Sequence, residues 1–299
     1  MKRILITGGT VFVSRYAAEY FVNAGYDVYV LNRNTRPQPA GVKLIEADRR
    51  CPGDRLKGLH FDAVCDITAY NAEDIRGLLR ALGSFDMYIM ISSSAVYPEY
   101  GAQPFTEETQ TAENRYWGAY GINKAEAERA LTEGVKDAYI IRPPYLYGPM
   151  NNVYREAFVF DCALAGRRFF LPGDGMMPLQ FFHVRDLCRL MRSVIENRPA
   201  FHIMNCGNTD TVTVKDWVTM CYRCLGKEPV FEHVYLGTEQ RKYFCFYDYD
   251  YRLDVRRQSS LLPDPVPLQD GLAEAAEWYL AHPEEVNRKP YMEFIDANL

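Results

Sequence analysis

Arg3-Ile4-Leu5-Ile6-Thr7-Gly8-Gly9-Thr10 starts as a short β-branched, apolar run and stops in two glycines. So short a continuous apolar run reads as a strand buried on both faces. A helical pattern follows to Ala24 and is stopped by Gly25. A strand that passes through glycine into a helix N-terminus can cradle the pyrophosphate of a dinucleotide, because unpaired helix amides and the helix dipole face the phosphates. With Gly8 as the first glycine, the turn reads Gly8-x-x-Val11-x-x-Ser14, a GxxGxxG spacing that keeps one glycine of three. Gly8 suits the tight turn. Val11 puts a side chain where backbone normally approaches phosphate, and Ser14 thickens a close helix contact.

The same alternation continues outward. Asp27 to Leu31, Lys43 to Glu46, Ala63 to Ile67, Tyr88 to Ile91 and Ala138 to Ile141 read as further strands, with helices over Glu73 to Leu82 and Trp117 to Glu133. Apolar strands alternating with helices predict an α/β fold, a doubly wound parallel sheet of the Rossmann type. After Arg142-Pro143-Pro144 the rhythm changes. A helix over Arg155 to Leu164, a loop Leu171-Pro172-Gly173-Asp174-Gly175, a strand Gln180 to Val184, a helix Asp186 to Glu196 and a strand His202 to Cys206 follow. The expected organisation is a dinucleotide-binding domain over 1–150, with 182–206 returning to it. Residues 151–181 and 207–299 would form a smaller, partly interleaved C-terminal substrate domain, and a ligand would sit in the crevice between the two.

Composition bounds the function. The 299 residues are 48% hydrophobic and 24% charged, as expected for a globular protein in water, and the net charge of −5 argues against nucleic acid as the main partner. No segment approaches the apolar length of a membrane span. Met1-Lys2-Arg3 runs straight into a strand, so no signal peptide and a cytoplasmic location are expected. The eight cysteines are scattered and read as reduced, buried hydrophobes. Cys221-Tyr222-Arg223-Cys224 lacks a second ligand pair and falls in a helical pattern from Val214 to Leu225, so helix residues and no metal are expected.

Tyr120-Gly121-Ile122-Asn123-Lys124 sets a tyrosine and a lysine four apart on one helix face. An ammonium beside a phenol favours the phenolate, which would let Tyr120 exchange a proton with a hydroxyl or carbonyl near neutral pH. With 22 tyrosines in 299 residues, such a pair carries weight only through its neighbours in the fold. One is Ser92-Ser93-Ser94-Ala95-Val96-Tyr97, at the carboxyl end of the strand Tyr88 to Ile91, where parallel strands present ligand-binding groups. The aromatic stretch Tyr243 to Tyr251 is read as core packing, with a stacking platform for a sugar or base as the alternative.

Thr7-Gly8-Gly9-Thr10-x-Phe12-Val13, the SSSAVY run, the YxxxK, Arg142-Pro143-x-x-x-Tyr147-Gly148-Pro149, Gly173-Asp174-Gly175, Phe182-His183-Val184-Arg185-Asp186-Leu187, Gly271-Leu272 and Trp278-Tyr279 occur in one order. In that order they resemble the extended short-chain dehydrogenases/reductases, the NAD-dependent epimerase/dehydratase family, over nearly the whole chain. The resemblance implies an NAD(P)-dependent enzyme that acts on a sugar or nucleotide-sugar alcohol through a keto intermediate. Tyr120 would be the catalytic acid/base, and Lys124 would hold the nicotinamide ribose and lower the tyrosine pKa. Ser93, or alternatively Ser94, would bond the reacting oxygen. Gly8 and Thr10 lie in the turn, Phe12 and Val13 would offer amides to the pyrophosphate, and Asp48 would meet the adenine. Ile67, Thr68 and Ala69 would line the cofactor. A homodimer is also implied.

The chain departs from that pattern at several places. NAD-using members carry an acid at the end of the second strand, where this chain has Leu31-Asn32-Arg33; a missing carboxylate beside an arginine suits the 2′-phosphate of NADP. Tyr145 stands where nucleotide-sugar epimerases have asparagine, and no arginine occurs near Leu179, where they often bind phosphate. The turn itself resembles a GGTxF sub-branch that includes chloroplast stem-loop RNA-binding proteins and keeps the last glycine, here Ser14. A non-catalytic dinucleotide-binding or RNA-binding protein on the same fold is therefore the alternative.

Overall fold

A computed structural model describes residues 1–235 and 237–299. Nine strands and five helices frame the cleft. The strands are β1 (Arg3–Thr7), β2 (Asp27–Asn32), β3 (Lys43–Glu46), β4 (Ala63–Asp66), β5 (Tyr88–Ile91), β6 (Ala138–Arg142), β7 (Tyr145–Tyr147), β8 (Phe181–His183) and β9 (Ile203–Asn205). The helices are α1 (Phe12–Asn23), α2 (Ala72–Ala81), α3 (Ala119–Gly134), α4 (Glu156–Leu164) and α5 (Val184–Asn197). Seven strands pair in the order β9-β6-β5-β4-β1-β2-β3, every ladder parallel. Strand order reverses between β1 and β4, and in such sheets a crevice opens there, outside the carboxyl ends of the strands.

Burial follows from the residues. Every side chain of β4, β5 and β6 is buried, as continuous apolar runs require when helices cover both faces. One core cluster holds Ile4, Ile6 and Ala18 with Leu187 and Met191 of α5; another holds Leu5, Val64 and Met90 with Leu78 of α2 and Leu131 of α3. β9 pairs with β6, and β8 with β7. A third cluster gathers Phe158 and Phe160 of α4 with Trp217, Phe244, Phe246 and Tyr279. The aromatic stretch packs inward, with Phe244 and Phe246 against the Trp217 ring.

α3 starts at Ala119, two residues later than the pattern predicts, because the amides of Trp117 and Gly118 both turn back to the Asn114 carbonyl and Gly118 takes φ +49. Gly121 explains the close seating of this helix: a Cβ there would lie 2.2 Å from the Ala95 carbonyl oxygen. Cys221 and Cys224 both lie on the helix Val214–Cys224, Cys221 fully buried and Cys224 partly.

Candidate active site

At the end of β1, Gly8 adopts φ +91 and donates its amide to the Leu31 carbonyl at 2.9 Å. A Cβ there would meet Ser14 Oγ at 2.8 Å, so the bulk that Ser14 adds is absorbed by the bare glycine facing it. The Ser14 hydroxyl donates to the Val11 carbonyl at 2.9 Å. Val11 is the extended residue before α1, which has no capping side chain and no acid in its first turn. Its first amides therefore keep the free donors and dipole that attract phosphate. Phe12 carries φ +36, a strained conformation that costs a bulky residue about 1–3 kcal/mol and is typical of functional turns.

Two cavities meet over this turn. The first, about 570 Å³, is lined by Gly8, Thr10, Asn32, Arg33 and Asp48, with Thr68 among its walls. The second, about 530 Å³, is lined by Phe12, Val13, Ile67, Ser93, Tyr120 and Lys124, among others. Val11, Ser14, Thr68 and Tyr70 belong to both. An elongated trough with a free helix N-terminus at its waist fits a nicotinamide dinucleotide, the pyrophosphate at α1 and the two ends in the two cavities.

Not every expected residue meets the cleft in the same way. Asn32 is committed to the turn: its amide donates to the Gly8 carbonyl at 2.7 Å and to Gln38 Oε1 at 2.9 Å, and its oxygen accepts the Asn34 amide. Arg33 is an exposed wall residue with Arg36 beside it on the same cavity. The Asp48 carboxylate accepts the Arg50 amide at 2.9 Å, which holds its pKa below the usual range. Ala69 corrects the expectation, because it is fully buried and off the wall; its carbonyl accepts from Lys124 Nζ at 2.6 Å.

Ser93, Tyr120 and Lys124 come together in the second cavity. Ser93 caps the short turn after β5 by accepting the Ala95 amide at 3.1 Å. Ser94 is buried away from the wall, its amide bonded to the Pro143 carbonyl at 2.9 Å. Lys124 is buried and donates also to the Ile91 carbonyl at 2.9 Å. Lys124 does not lower the tyrosine pKa as expected. Its ammonium is spent on two carbonyls and lies 6.0 Å from the Tyr120 ring centre. Burial pushes the Tyr120 phenol up, and the neighbouring Ser93 hydroxyl offsets part of that rise. The Tyr120 side chain, at 38% exposure, still reaches solvent at the cavity mouth, so screening limits the rise.

Burial also brings Lys124 down to about 8 from 10.5, with Asp66 and Glu128 opposing the fall. Between those two values the unfolded chain holds a proton that the folded chain has released. Stability contributed by this group is therefore gained as pH rises from about 8 to 10.5, and lost as pH falls through about 8. Subtracting the unfolding free energy of Lys124→Met from that of the wild type should give a difference that climbs with pH across the window. A flat difference would mean that Lys124 titrates as an ordinary lysine.

Three wall residues were not legible as motifs. Tyr70 stands with its ring centre 6.3 Å from that of Tyr120 and 5.4 Å from Lys124 Nζ. Arg155 and Asn152 reach the second cavity from the segment before α4. Beneath the first cavity, Arg49 makes a two-pronged pair with buried Asp66, which also accepts from Thr7 at 2.8 Å and Tyr88 at 2.5 Å. Burial opposes the Asp66 charge, but Arg49 and these hydroxyls outweigh it and hold its pKa below the usual range. Two surface clusters of ligand-type residues, His60 with Asp62 and Asp86, and His282 with Glu284 and Glu285, line neither cavity.

This sheet, glycine turn and cleft define a Rossmann-type α/β protein. The chain belongs to the NAD dependent epimerase/dehydratase family, whose sequence model matches residues 4–207, and is an enzyme of the extended short-chain dehydrogenase/reductase type. It is 30% identical over 286 residues to the chloroplast stem-loop binding protein of 41 kDa b of Arabidopsis thaliana, covering 87% of this chain and 74% of that one. It is 23% identical over 338 residues to a dTDP-4-dehydro-6-deoxy-D-allose reductase of a Streptomyces species, 94% of this chain and 97% of the relative. Among solved structures, the dTDP-glucose 4,6-dehydratase of Bacillus anthracis, in complex with NAD, superposes with a TM-score of 0.76 at 19% identity. That match covers 96% of this chain and 99% of the other and carries the fold alone. No helix among the described residues is long and apolar enough to cross a membrane.

Proposed function

We propose that the chain is an NAD(P)-dependent oxidoreductase acting at an alcohol or ketone carbon of a sugar or nucleotide sugar. The observation that carries this reading is the convergence of Ser93, Tyr120 and Lys124 on one cavity continuous with the Gly8 turn. A bound nicotinamide would supply the hydride exchange. Ser93 would donate a hydrogen bond to the reacting oxygen and hold it before Tyr120. Tyr120 suits the role of acid/base, passing a proton to or from the reacting oxygen as the carbon exchanges hydride. Lys124 would keep its charge beneath the ribose, anchored by the Ala69 and Ile91 carbonyls.

NADP is the preferred cofactor in this reading. Arg33 and Arg36 line the adenine-side cavity, and neither forms an ion pair within 4.0 Å among the described residues. Asn32 cannot replace the missing acid, since its side chain is consumed by the turn. A ligand that binds only the native state raises thermal stability with concentration, by about 2.7 kcal/mol at a hundred times its Kd. NADP should therefore raise Tm more than NAD, and Arg33→Ala should shrink the NADP response selectively. No shift with either dinucleotide at millimolar concentration would sink the oxidoreductase reading.

A second reading, RNA binding, is favoured by the similarity to the stem-loop binding protein and by four arginines, at 33, 36, 49 and 50, around the first cavity. Arg49 and Arg50 are paired to Asp66 and Asp48, so two cations remain there for an outside anion. An RNA stem-loop that binds at physiological salt and is displaced by NADP would support it; no binding at micromolar protein would remove it.

A further inference from the structure

Of the four side chains common to both cavities, Val11, Ser14, Thr68 and Tyr70, only the last is aromatic. Tyr70 is 57% exposed, whereas Lys124 beside it is 3% exposed. The backbone of Tyr70 does not share that freedom. Its amide donates to Asp74 Oδ2 at 2.9 Å, and the Asn71 side chain caps α2 by accepting the Asp74 amide at 2.9 Å. The ring therefore starts from a rigid point, and its centre lies 5.4 Å from the Lys124 ammonium. An aromatic face carries negative charge density and attracts a cation within about 6 Å of its centre. The Tyr120 ring, at 6.0 Å, is a second and more distant face.

Little else close to Lys124 balances its charge. An ammonium has three N–H donors, and two of these go to the uncharged Ala69 and Ile91 carbonyls. The acids around it are engaged elsewhere. Asp66, at the end of β4, is paired with Arg49, and Glu128 on α3 with Arg142. Asp74 on α2 accepts the Tyr70 amide and has Arg49 Nε 3.9 Å away. No carboxylate lies within 4.0 Å of the ammonium among the described residues, and Arg49 opposes it as a like charge. Close compensation for burial thus comes from two carbonyls and two rings, of which Tyr70 is the nearer.

We propose that Tyr70 is a positioning residue for Lys124, its ring face holding the charged ammonium at the base of the cavity with one N–H left for a ligand. The oxidoreductase reading enters only in making that ligand the bound dinucleotide.

The test follows NADP affinity by calorimetry from pH 7 upward in full-length wild type, Tyr70→Phe, Tyr70→Leu and Lys124→Met. Wild-type affinity should fall as pH rises through about 8, where Lys124 releases its proton. Tyr70→Phe removes a hydroxyl and keeps the ring, so its midpoint should match the wild type. Tyr70→Leu keeps an apolar cover without an aromatic face, so its midpoint should drop by about half a unit. With Lys124→Met, alone or combined with Tyr70→Leu, no midpoint should remain in this range. A Tyr70→Phe protein that behaves as the wild type also shows that the site tolerates substitution.

An unmoved or raised midpoint in Tyr70→Leu overturns the proposal, because the ring would then act only by excluding water. A drop of the same size in Tyr70→Phe overturns it too, since the hydroxyl and not the ring face would be responsible. So does an affinity loss in Tyr70→Leu that is equal at every pH and undiminished in the Lys124→Met background, which would place Tyr70 directly on the cofactor. A second measurement needs no cofactor: the pH window over which Lys124 contributes to unfolding free energy should move down by the same half unit in Tyr70→Leu. Should neither dinucleotide bind the wild type, the oxidoreductase reading fails by itself, and a window that does not move down in Tyr70→Leu still overturns the role of Tyr70.

Discussion

Tyr120→Phe should lower turnover by roughly a hundred- to ten-thousand-fold, the usual worth of general acid/base assistance, while stability stays nearly unchanged. The substitution removes one hydroxyl and keeps the ring, which packs beside Tyr70 at the mouth of the cavity. Among the described residues the phenol is hydrogen-bonded to no backbone group or distant side chain, so none is lost. Loss of rate without loss of Tm would therefore isolate a chemical role. Lys124→Met should cut both rate and cofactor affinity, because its ammonium lies at the base of the same cavity, held by two carbonyls. The double variant should lose less than the product of the two single losses, since residues that act as a unit are not additive. Stopped-flow reduction of a sugar found to be turned over is the measurement, and an unchanged rate in Tyr120→Phe would end the assignment.

Arg142→Met should destabilise the fold by about 3–5 kcal/mol, the cost of leaving a buried charge alone. Arg142 and Glu128 are 3% and 5% exposed and make a two-pronged pair at 3.0 and 2.5 Å. Glu128 also accepts from Ser92 at 2.5 Å, and Arg142 donates to the Tyr97 hydroxyl at 2.8 Å. The pair thus ties α3, one turn beyond Lys124, to β6 and to the serine next to Ser93. Removing the arginine strands the carboxylate in a dry site. Replacing both, Arg142→Met with Glu128→Leu, should cost less than either single change, because a buried ion pair is often matched by apolar residues of similar volume. Urea unfolding of the three variants measures the cycle. A single-variant loss under about 1 kcal/mol would show that water reaches the pair.

The bounds of β1, β3 and β5, and the existence of the strands and helices around them, were legible because apolar continuity and helical periodicity are local properties of a chain. So was the Gly8 turn, whose glycine takes the positive φ that its place between strand and helix demands. The inward packing of Phe244 and Phe246 was legible in kind, as an aromatic run too rich to leave in water.

What Lys124 bonds was not legible. Its acceptors, the carbonyls of Ala69 and Ile91, lie 55 and 33 positions earlier, and nothing in the intervening residues marks them. The helix spacing of Tyr120 and Lys124 suggested that the ammonium would act on the phenol, yet burial decided the direction for both groups, and burial is set by the whole fold. Nothing local to the helix explains Gly121; only contact with Ala95 shows why a side chain cannot stand there. The sequence by itself determined the order of strands and helices and the turn that opens the cleft, since each is specified within a dozen residues. The tertiary structure alone decided which charges are neutralised, by pairing Arg49 with Asp66 and Arg142 with Glu128, because ion pairing depends on distance in space and not on distance along the chain.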